Sequence, residues 1–152
     1  MQKLSCTLLA DDETTNYLNR TLLEKLAVTD ELLIAQNGQQ ALGPVLHHCP
    51  AATPDCPALI LLDAKMPIMD GFEFLEAYAQ LPLDQKNEAV VIVMLTTSLH
   101  PQDVDRVGRL NIAGYLNKPL SRDKVDGILQ AHFQRRLPQN TPLAAISAGC
   151  TP

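Results

Sequence analysis

Short apolar runs alternate with amphipathic segments along most of this chain. Two of the runs contain no polar residue, as is typical of strands that are buried on both faces of a parallel sheet. The others are apolar enough to predict strands and are bounded by polar or turn residues. The five predicted strands are Leu4–Ala10, Glu31–Ala35, Ala58–Leu62, Val90–Leu95 and Ile112–Leu116.

The segments between the predicted strands have helical spacing. Thr14 to Leu26 predicts a helix that turns Leu18, Leu22 and Leu26 inward, with Thr14, Thr15 or Asn16 as its N-cap. A second helix is predicted from Asn37-Gly38 to about His48. Pro44 lies near its first turns, which predicts a late start, a kink or an irregular first turn.

Three further helices are predicted in the second half of the chain. One opens at Asp70-Gly71, one runs from Pro101 to Leu110, and the last is capped by Ser121. Five strands alternating with five helices predict an α/β fold with a doubly wound, flavodoxin-like parallel sheet in the order 2-1-3-4-5 and helices on both faces. We assign residues 1–136 to one domain and 137–152, which has no periodicity, to a poorly ordered tail or linker.

Composition narrows the function classes. A chain of 152 residues with 46% hydrophobic residues has the size of one globular domain. Its net charge of -5 argues against a general binder of nucleic acids or anionic membranes. It has neither a run long enough to span a membrane nor a signal-peptide pattern, so we expect a cytoplasmic protein. Cys6 is expected in the core, and Cys49 and Cys56 do not match a zinc-site spacing.

Polar residues follow four of the five predicted strands. They are Asp11 and Asp12 after the first, Asp63 after the third, Thr96 after the fourth and Lys118 after the fifth. In the predicted order, the carboxyl ends of these strands meet at one edge, where open α/β sheets keep their binding sites.

This combination of groups suggests a specific chemistry. Three clustered carboxylates repel one another unless a cation lies among them, and hard oxygen ligands suit Mg²⁺. One carboxylate can then act as a nucleophile toward a phosphoryl group, whose oxygens a lysine ammonium and a threonine hydroxyl would stabilise. The site therefore predicts phosphorylation of an aspartate.

Four motifs resemble those of a receiver domain of bacterial two-component response regulators, of which chemotaxis response regulators are examples. They are Leu-Leu-Ala-Asp-Asp-Glu, Leu-Leu-Asp-Ala-Lys-Met-Pro-Ile-Met-Asp-Gly, Met-Leu-Thr-Thr-Ser and Gly-Tyr-Leu-Asn-Lys-Pro-Leu. The resemblance implies that Asp63 is the phosphoacceptor. It also implies that Mg²⁺ is bound by Asp11, Asp12, Asp63 and the backbone carbonyl of Lys65.

The same resemblance implies a signalling role rather than that of an enzyme. Thr96 would contact the phosphoryl group, Lys118 would pair with it, and the Lys118-Pro119 bond would be cis. Tyr115 would move with Thr96, changing the face formed by the fourth predicted helix, the fifth strand and the fifth predicted helix. The implied partners are a histidine kinase or histidine phosphotransfer protein and an unidentified downstream protein, without direct contact to nucleic acid or membrane. The same face would allow a homodimer.

Some features depart from the family pattern or suggest alternatives. Thr97 stands where the family usually has a smaller residue, and Lys65 and Ser98 occupy positions that tune dephosphorylation.

A receiver-like module that docks without phosphorylation is the main alternative, although it would not need all five site residues. An aspartyl-phosphate hydrolase is disfavoured, because Lys65 stands where such enzymes have a second aspartate. A dinucleotide-binding unit is excluded by the lack of a Gly-rich turn after any strand.

Overall fold

The computed structural model describes residues 4–48, 57–80, 90–96, 105 and 112–133, with the backbone alone described over 44–48. These residues form five strands and four helices, and a helix follows every strand except β4. The elements are β1 (Leu4–Ala10), α1 (Glu13–Leu26), β2 (Thr29–Ala35), α2 (Gly38–His48), β3 (Ala58–Asp63), α3 (Gly71–Ala79), β4 (Val90–Thr96), β5 (Gly114–Asn117) and α4 (Arg122–Phe133). The last of these, α4, corresponds to the fifth predicted helix.

The strands form one parallel sheet in the order β2-β1-β3-β4-β5, which confirms the predicted topology. β3 lies at its centre, and all six of its residues are buried. The continuous apolar sequence of this strand is therefore explained by burial on both faces.

Successive side chains of the central strands point to opposite faces of the sheet, so the core has two layers. Ile60 and Leu62 pack with Phe72 and Phe74 in one layer, on the side of the sheet that α2 and α3 cover. Leu59 and Leu61 point the other way and pack in the layer that includes residues of α1 and α4. Because successive strand residues face opposite sides, both faces of β3 need apolar side chains.

The predicted cap and apolar face of α1 were wrong in part. The N-cap is Asp12, whose extended backbone places a carboxylate oxygen 2.7 Å from the backbone nitrogen of Thr15. The buried residues of the helix are Asn16, Asn19 and Leu23, whereas Leu18 is 60% exposed. Asp12 caps the helix from just outside it, so the helix begins one residue earlier than predicted. Leu22 and Leu26 are partly buried against the core, so the expected face is confirmed for these two leucines and wrong for Leu18.

Other element boundaries also differ from the predictions. β2 begins at Thr29 rather than Glu31, and β5 spans Gly114–Asn117 rather than Ile112–Leu116. α2 begins at Gly38 without the late start that Pro44 suggested. The predicted helix over 101–110, the tail at 137–152 and the cysteines at 49 and 56 lie outside the described residues, while Cys6 is buried as predicted.

Within the part of the chain that the structure describes, no helix has the length and apolar character needed to cross a membrane.

The orientation of α1 can be tested with two leucines on the same helix. Leu23 is 1% exposed, so Leu23→Ala should lower the free energy of unfolding by about 2–5 kcal/mol through lost burial and a residual cavity. Leu18→Ala should change it by about 0.5 kcal/mol or less, because the side chain is in solvent. Urea denaturation measures both values, and equal losses would show that the helix faces the sheet differently.

Candidate functional site

Three neighbouring strands bring acidic and hydroxyl groups to the carboxyl edge of the sheet. Asp63 is the last residue of β3 and is 7% exposed. β1 ends with Ala10 opposite Leu62, so Asp11 follows beside Asp63. On the other side, Leu95 of β4 pairs with Asp63, and the buried Thr96 comes one residue later. The predicted order of strands therefore brings these residues together.

Lys118 reaches across this edge and bridges the two buried carboxylates. Its Nζ lies 3.0 Å from Oδ1 and 2.9 Å from Oδ2 of Asp11, and 3.2 Å from Oδ1 of Asp63. Its backbone nitrogen donates to the carbonyl oxygen of Thr96 at 2.8 Å, and the Lys118-Pro119 bond is cis as predicted. One side chain thus connects the ends of β1, β3 and β5, which are distant in sequence.

One ammonium does not fully compensate the two carboxylates. Burial, together with the charge of Asp63, raises the pKa of Asp11 to about 6, although the hydrogen bond from Lys118 opposes both effects. Oδ2 of Asp11 lies close to the ammonium but accepts no well-directed hydrogen bond, and it is buried. Burial lowers the pKa of Lys118, but the hydrogen bond and charge of Asp11, helped by Asp63, outweigh it and leave that pKa raised.

The second aspartate of the acidic pair has a different environment. Asp12 is exposed, and its carboxylate accepts hydrogen bonds from the backbone nitrogen and hydroxyl of Thr15 at the start of α1. The hydrogen bond from the backbone nitrogen of Thr15 has the largest effect and lowers the pKa of Asp12. The hydroxyl of Thr15 lowers it further, and some desolvation opposes both effects. The structure therefore brings Asp11 and Asp63 together around Lys118, and it uses Asp12 to cap the helix.

Asn16 supports the backbone of Asp11, a role that the sequence analysis did not predict. Its Nδ2 donates to the carbonyl oxygen of Asp11 at 2.9 Å and to that of Ala35 at 2.8 Å, which joins the exits of β1 and β2. The side chain is buried, with Oδ1 lacking a hydrogen-bond partner. Asn16 and Asn19, two polar residues at helical spacing, are a signal in the sequence, but the spacing of the nearby leucines favours a different inward face.

The loop from residue 64 to 70 is held close to Asp63 by two glycines. The nitrogen of Gly71 donates to the carbonyl oxygen of Ala64 at 3.2 Å, and a Cβ on Gly71 would collide with the carbonyl oxygen of Asp63. The nitrogen of Gly38, at the start of α2, donates to the carbonyl oxygen of Met69 at 2.7 Å. A side chain at Gly38 would lie 2.8 Å from Cγ of Met69, so this contact also requires glycine.

The remaining predicted site residues lie toward solvent or outside the described residues. Lys65 is exposed in the loop after β3, and Tyr115 of β5 is 49% exposed. Thr97 and Ser98 are outside the described part of the chain. The structure therefore places Tyr115 at the surface beside β4, opposite Met94 in the register.

Comparisons with known proteins identify the family of this chain. A family model described as the response regulator receiver domain matches residues 7–130. The chain belongs to the response regulator receiver domain family. It is 31% identical to the two-component response regulator ORR41 of Oryza sativa subsp. japonica over 134 residues, which are 88% of this chain and 97% of that protein. Two other curated relatives are longer, and the matched part of this chain spans 45% of one and 52% of the other.

Solved receiver structures share the fold. A two-component response regulator from Cytophaga hutchinsonii superposes with a TM-score of 0.71 at 24% identity, covering 89% of this chain and 100% of that one. The receiver domain of the sensor histidine kinase PA1611 from Pseudomonas aeruginosa PAO1 gives 0.67 at 22% identity, covering 87% and 99%. That Pseudomonas structure holds a magnesium ion in its active-site cleft.

The charge balance of this receiver domain fits a small divalent cation at the carboxyl edge of the sheet. Two buried carboxylates share one monovalent ammonium, and an oxygen of Asp11 has no well-directed donor. Among the described residues, no group of three or more acidic, histidine or cysteine side chains is gathered tightly enough to hold a metal. The side chains that the structure gathers at this edge are the two carboxylates of Asp11 and Asp63, which share Lys118, while the carboxylate of Asp12 is directed to Thr15.

The burial of Asp11 predicts a pH-dependent stability. Its pKa in the folded protein lies above the ordinary 3.8, so protonated Asp11 favours folding and that contribution is lost as pH rises from about 4 through about 6. In metal-free buffer, Asp11→Asn should therefore raise the free energy of unfolding above pH 6 by on the order of 3 kcal/mol, at about 1.4 kcal/mol for each pKa unit between 3.8 and about 6. The gain should vanish near pH 4.

Asp12→Asn is the matched control for this pH profile. The hydrogen bonds from Thr15 lower the pKa of Asp12 in the folded protein. Charged Asp12 therefore stabilises the fold at pH values above the ordinary pKa of aspartate, and this contribution is lost on acidification. Asp12→Asn should thus give a small loss of stability at neutral pH. Urea denaturation across pH measures both variants, and a gain of equal size from both would contradict the distinction between them.

Proposed function

We propose that this receiver domain accepts a phosphoryl group on Asp63 and transmits a phosphorelay signal through its surface. The observation that carries the proposal is the ammonium of Lys118, which lies within 3.2 Å of Asp63 and 2.9 Å of Asp11. A buried nucleophile beside a fixed cation suits a reaction that transfers a highly charged group. The family membership of residues 7–130 supports the same function.

The reaction follows from the groups at the sheet edge. An oxygen of Asp63 attacks phosphorus, and we assign the attack to Oδ2 because Oδ1 is engaged by Lys118. The bond between phosphorus and the donor's imidazole nitrogen breaks, and its electron pair returns to the imidazole. The product is a mixed anhydride of carboxylate and phosphate. Lys118 stabilises the negative charge that the phosphoryl oxygens bring to this edge.

Mg²⁺ is the cation that we propose for the site, because carboxylates and a backbone carbonyl are the hard oxygen donors that it prefers. Asp11 and Asp63 would hold it, with Asp12 and the backbone carbonyl of Lys65 as the further ligands that the family resemblance implies. When bound, it neutralises charge on the phosphoryl oxygens and on the acidic cluster. Asn16 keeps the backbone of Asp11 in place for this role through its hydrogen bond to that carbonyl.

The change that phosphorylation would cause at the protein surface begins at Thr96 and Tyr115. Thr96 is buried next to Asp63, so its hydroxyl can donate to a phosphoryl oxygen after a local movement. The backbone nitrogen of Lys118 donates a hydrogen bond to the carbonyl oxygen of Thr96. A movement of Thr96 would therefore also move the end of β5. Tyr115 lies on β5 and is half exposed, so it can turn inward as Thr96 moves. The charge of the phosphoryl group on Asp63 would thus shift the surface around Tyr115 and β5 from one conformation to another.

The proposed partners and setting follow from this role. The phosphodonor is a histidine kinase or a histidine phosphotransfer protein, and the signal passes to a downstream protein at the face that includes β5 and α4. The same face would serve a homodimer. We propose a cytoplasmic setting for a domain spanning 1–136, which assists its own phosphorylation and dephosphorylation but turns over no other substrate.

Phosphorylation on Asp63 can be tested with a small-molecule donor. Incubating the chain with acetyl phosphate and Mg²⁺ should add the mass of one phosphoryl group, measured on the intact protein. Asp63→Asn should abolish this addition, because an amide cannot form the anhydride. Omitting Mg²⁺ or adding a chelator should slow the addition strongly.

The matched control is Asp70→Asn. Asp70 caps α3 and lies outside the ion-pair cluster, and asparagine is an equally good N-cap. This variant should accept the phosphoryl group like the wild-type chain. An unchanged mass in the wild type would contradict the proposed function and favour a module that docks without phosphorylation. Full phosphorylation of Asp63→Asn would contradict the assignment of Asp63 and place the phosphoryl group on another residue.

A second variant separates phosphorylation from output. Thr96→Val keeps the branched shape in the buried site but removes the hydroxyl. It should still be phosphorylated, while the change that phosphorylation causes in the NMR signals of Tyr115 and β5 should be lost. Thr96→Ser retains a hydroxyl and should keep the change. If Thr96→Val responds like the wild type, Thr96 does not couple the phosphate to β5.

A further inference from the structure

A second lysine braces the loop that carries Lys118. The Nζ of Lys124, in the first turn of α4, donates to the carbonyl oxygen of Asn117 at 2.7 Å and to that of Pro119 at 2.8 Å. These two carbonyls belong to the residues on either side of Lys118. The ammonium of Lys124 therefore holds the backbone before and after the residue that bridges the acidic pair.

The position of Lys124 is unfavourable for the helix itself. Ser121 is the N-cap of α4, with its hydroxyl accepting from the nitrogen of Lys124 at 3.3 Å. A cation in the first turn opposes the helix dipole, and the third helical position is the one where glutamate or glutamine completes a capping box. α3 has Glu73 there and forms the box. The cation on α4 is explained by the two carbonyls that it binds.

The other contact that fixes this loop comes from the sheet. The nitrogen of Lys118 donates to the carbonyl oxygen of Thr96 at 2.8 Å. β5 is an edge strand of four residues, so it offers few hydrogen bonds of its own to hold the loop after it. Together, Thr96 and Lys124 fix the main chain from 117 to 119 and so the point from which the long side chain of Lys118 starts.

We propose that Lys124 is a positioning residue that sets the ammonium of Lys118 between Asp11 and Asp63. It touches neither carboxylate nor the proposed phosphoryl site, and it acts through the carbonyls of Asn117 and Pro119. The inference rests on the proposed function, since it concerns the same site. Supporting residues of this kind typically change metal affinity or activity by on the order of 10–100-fold when replaced.

The contribution of Lys124 to global stability should be small. Both hydrogen bonds lie in an exposed region, where pairs of charged and polar groups add little to folding. Lys124→Gln also places a favourable residue at the third helical position. The variant should therefore loosen the loop without unfolding the domain, which separates positioning from a merely structural role.

The experiment compares Lys124→Gln and Lys124→Arg with the wild-type chain and with Lys25→Gln. Lys25 is an exposed lysine in the last turn of α1 and serves as the matched control. Calorimetry measures the affinity for beryllofluoride, a phosphoryl mimic, in the presence of Mg²⁺. Hydrogen exchange at the Lys118 amide, measured without metal, reports on the loop, and urea denaturation reports on the fold.

Lys124→Gln should weaken beryllofluoride binding by on the order of tenfold and accelerate exchange at the Lys118 amide, with unchanged stability. Lys124→Arg should restore part of both properties, because its guanidinium can also donate to two carbonyls. Lys25→Gln should match the wild type. Unchanged affinity and exchange in Lys124→Gln, or a loss of affinity fully matched by a loss of stability, would overturn the positioning role.

Failure of the proposed function would look different. In that case the wild-type chain and Lys25→Gln would both fail to bind beryllofluoride with Mg²⁺, and the inference about Lys124 would fall with it. Binding by the wild type together with equal binding by Lys124→Gln would leave the proposed function standing and overturn the positioning role alone.

Discussion

The site depends on one ammonium between two buried carboxylates. Lys118 contacts Asp11 and Asp63, and these three residues come from segments that are far apart in sequence. Two unit charges 4 Å apart interact with about 4 kcal/mol at an effective dielectric constant of 20, so this pair of acids would be costly without a cation. Burial, with a smaller contribution from the charge of Asp63, raises the pKa of Asp11 to about 6 even though the hydrogen bond from Lys118 lowers it. The two carboxylates and one ammonium leave one negative charge uncompensated, which is why we propose a divalent cation for this edge before an anionic phosphoryl group arrives.

The rest of the fold keeps that cluster assembled. The parallel order places β1 and β4 on either side of β3, so their last residues flank Asp63. Asn16 holds the exit of β1, and Gly71 allows the loop after β3 to fold back onto the carbonyl of Asp63. Because each support is a backbone contact, the charged side chains can be positioned without adding charge to the cluster.

The sequence allowed the strands and the polar residues at four of their ends to be predicted, because apolar runs that end in a polar group are local signals. The sheet order followed from the alternation of predicted strands and helices. It revealed the face of α1 only in part: Leu22 and Leu26 pack against the core, but Leu18 is exposed and the helix buries Asn16 and Asn19. Hydrogen bonds to backbone carbonyls, such as that from Asn16 to Ala35, depend on which strands are neighbours. The division of labour between Asp11 and Asp12 was hidden for the same reason, since only the start of α1 decides which one becomes the cap.

The central claim is that the carboxylate of Asp63 becomes the phosphorylated group. Borohydride reduces an aspartyl phosphate to homoserine, so peptide mass analysis after phosphorylation and reduction identifies the modified residue directly. The account predicts homoserine at position 63 and intact aspartate at positions 11 and 12. Homoserine at 11 or 12, or no reduction at 63 in a phosphorylated chain, would contradict it.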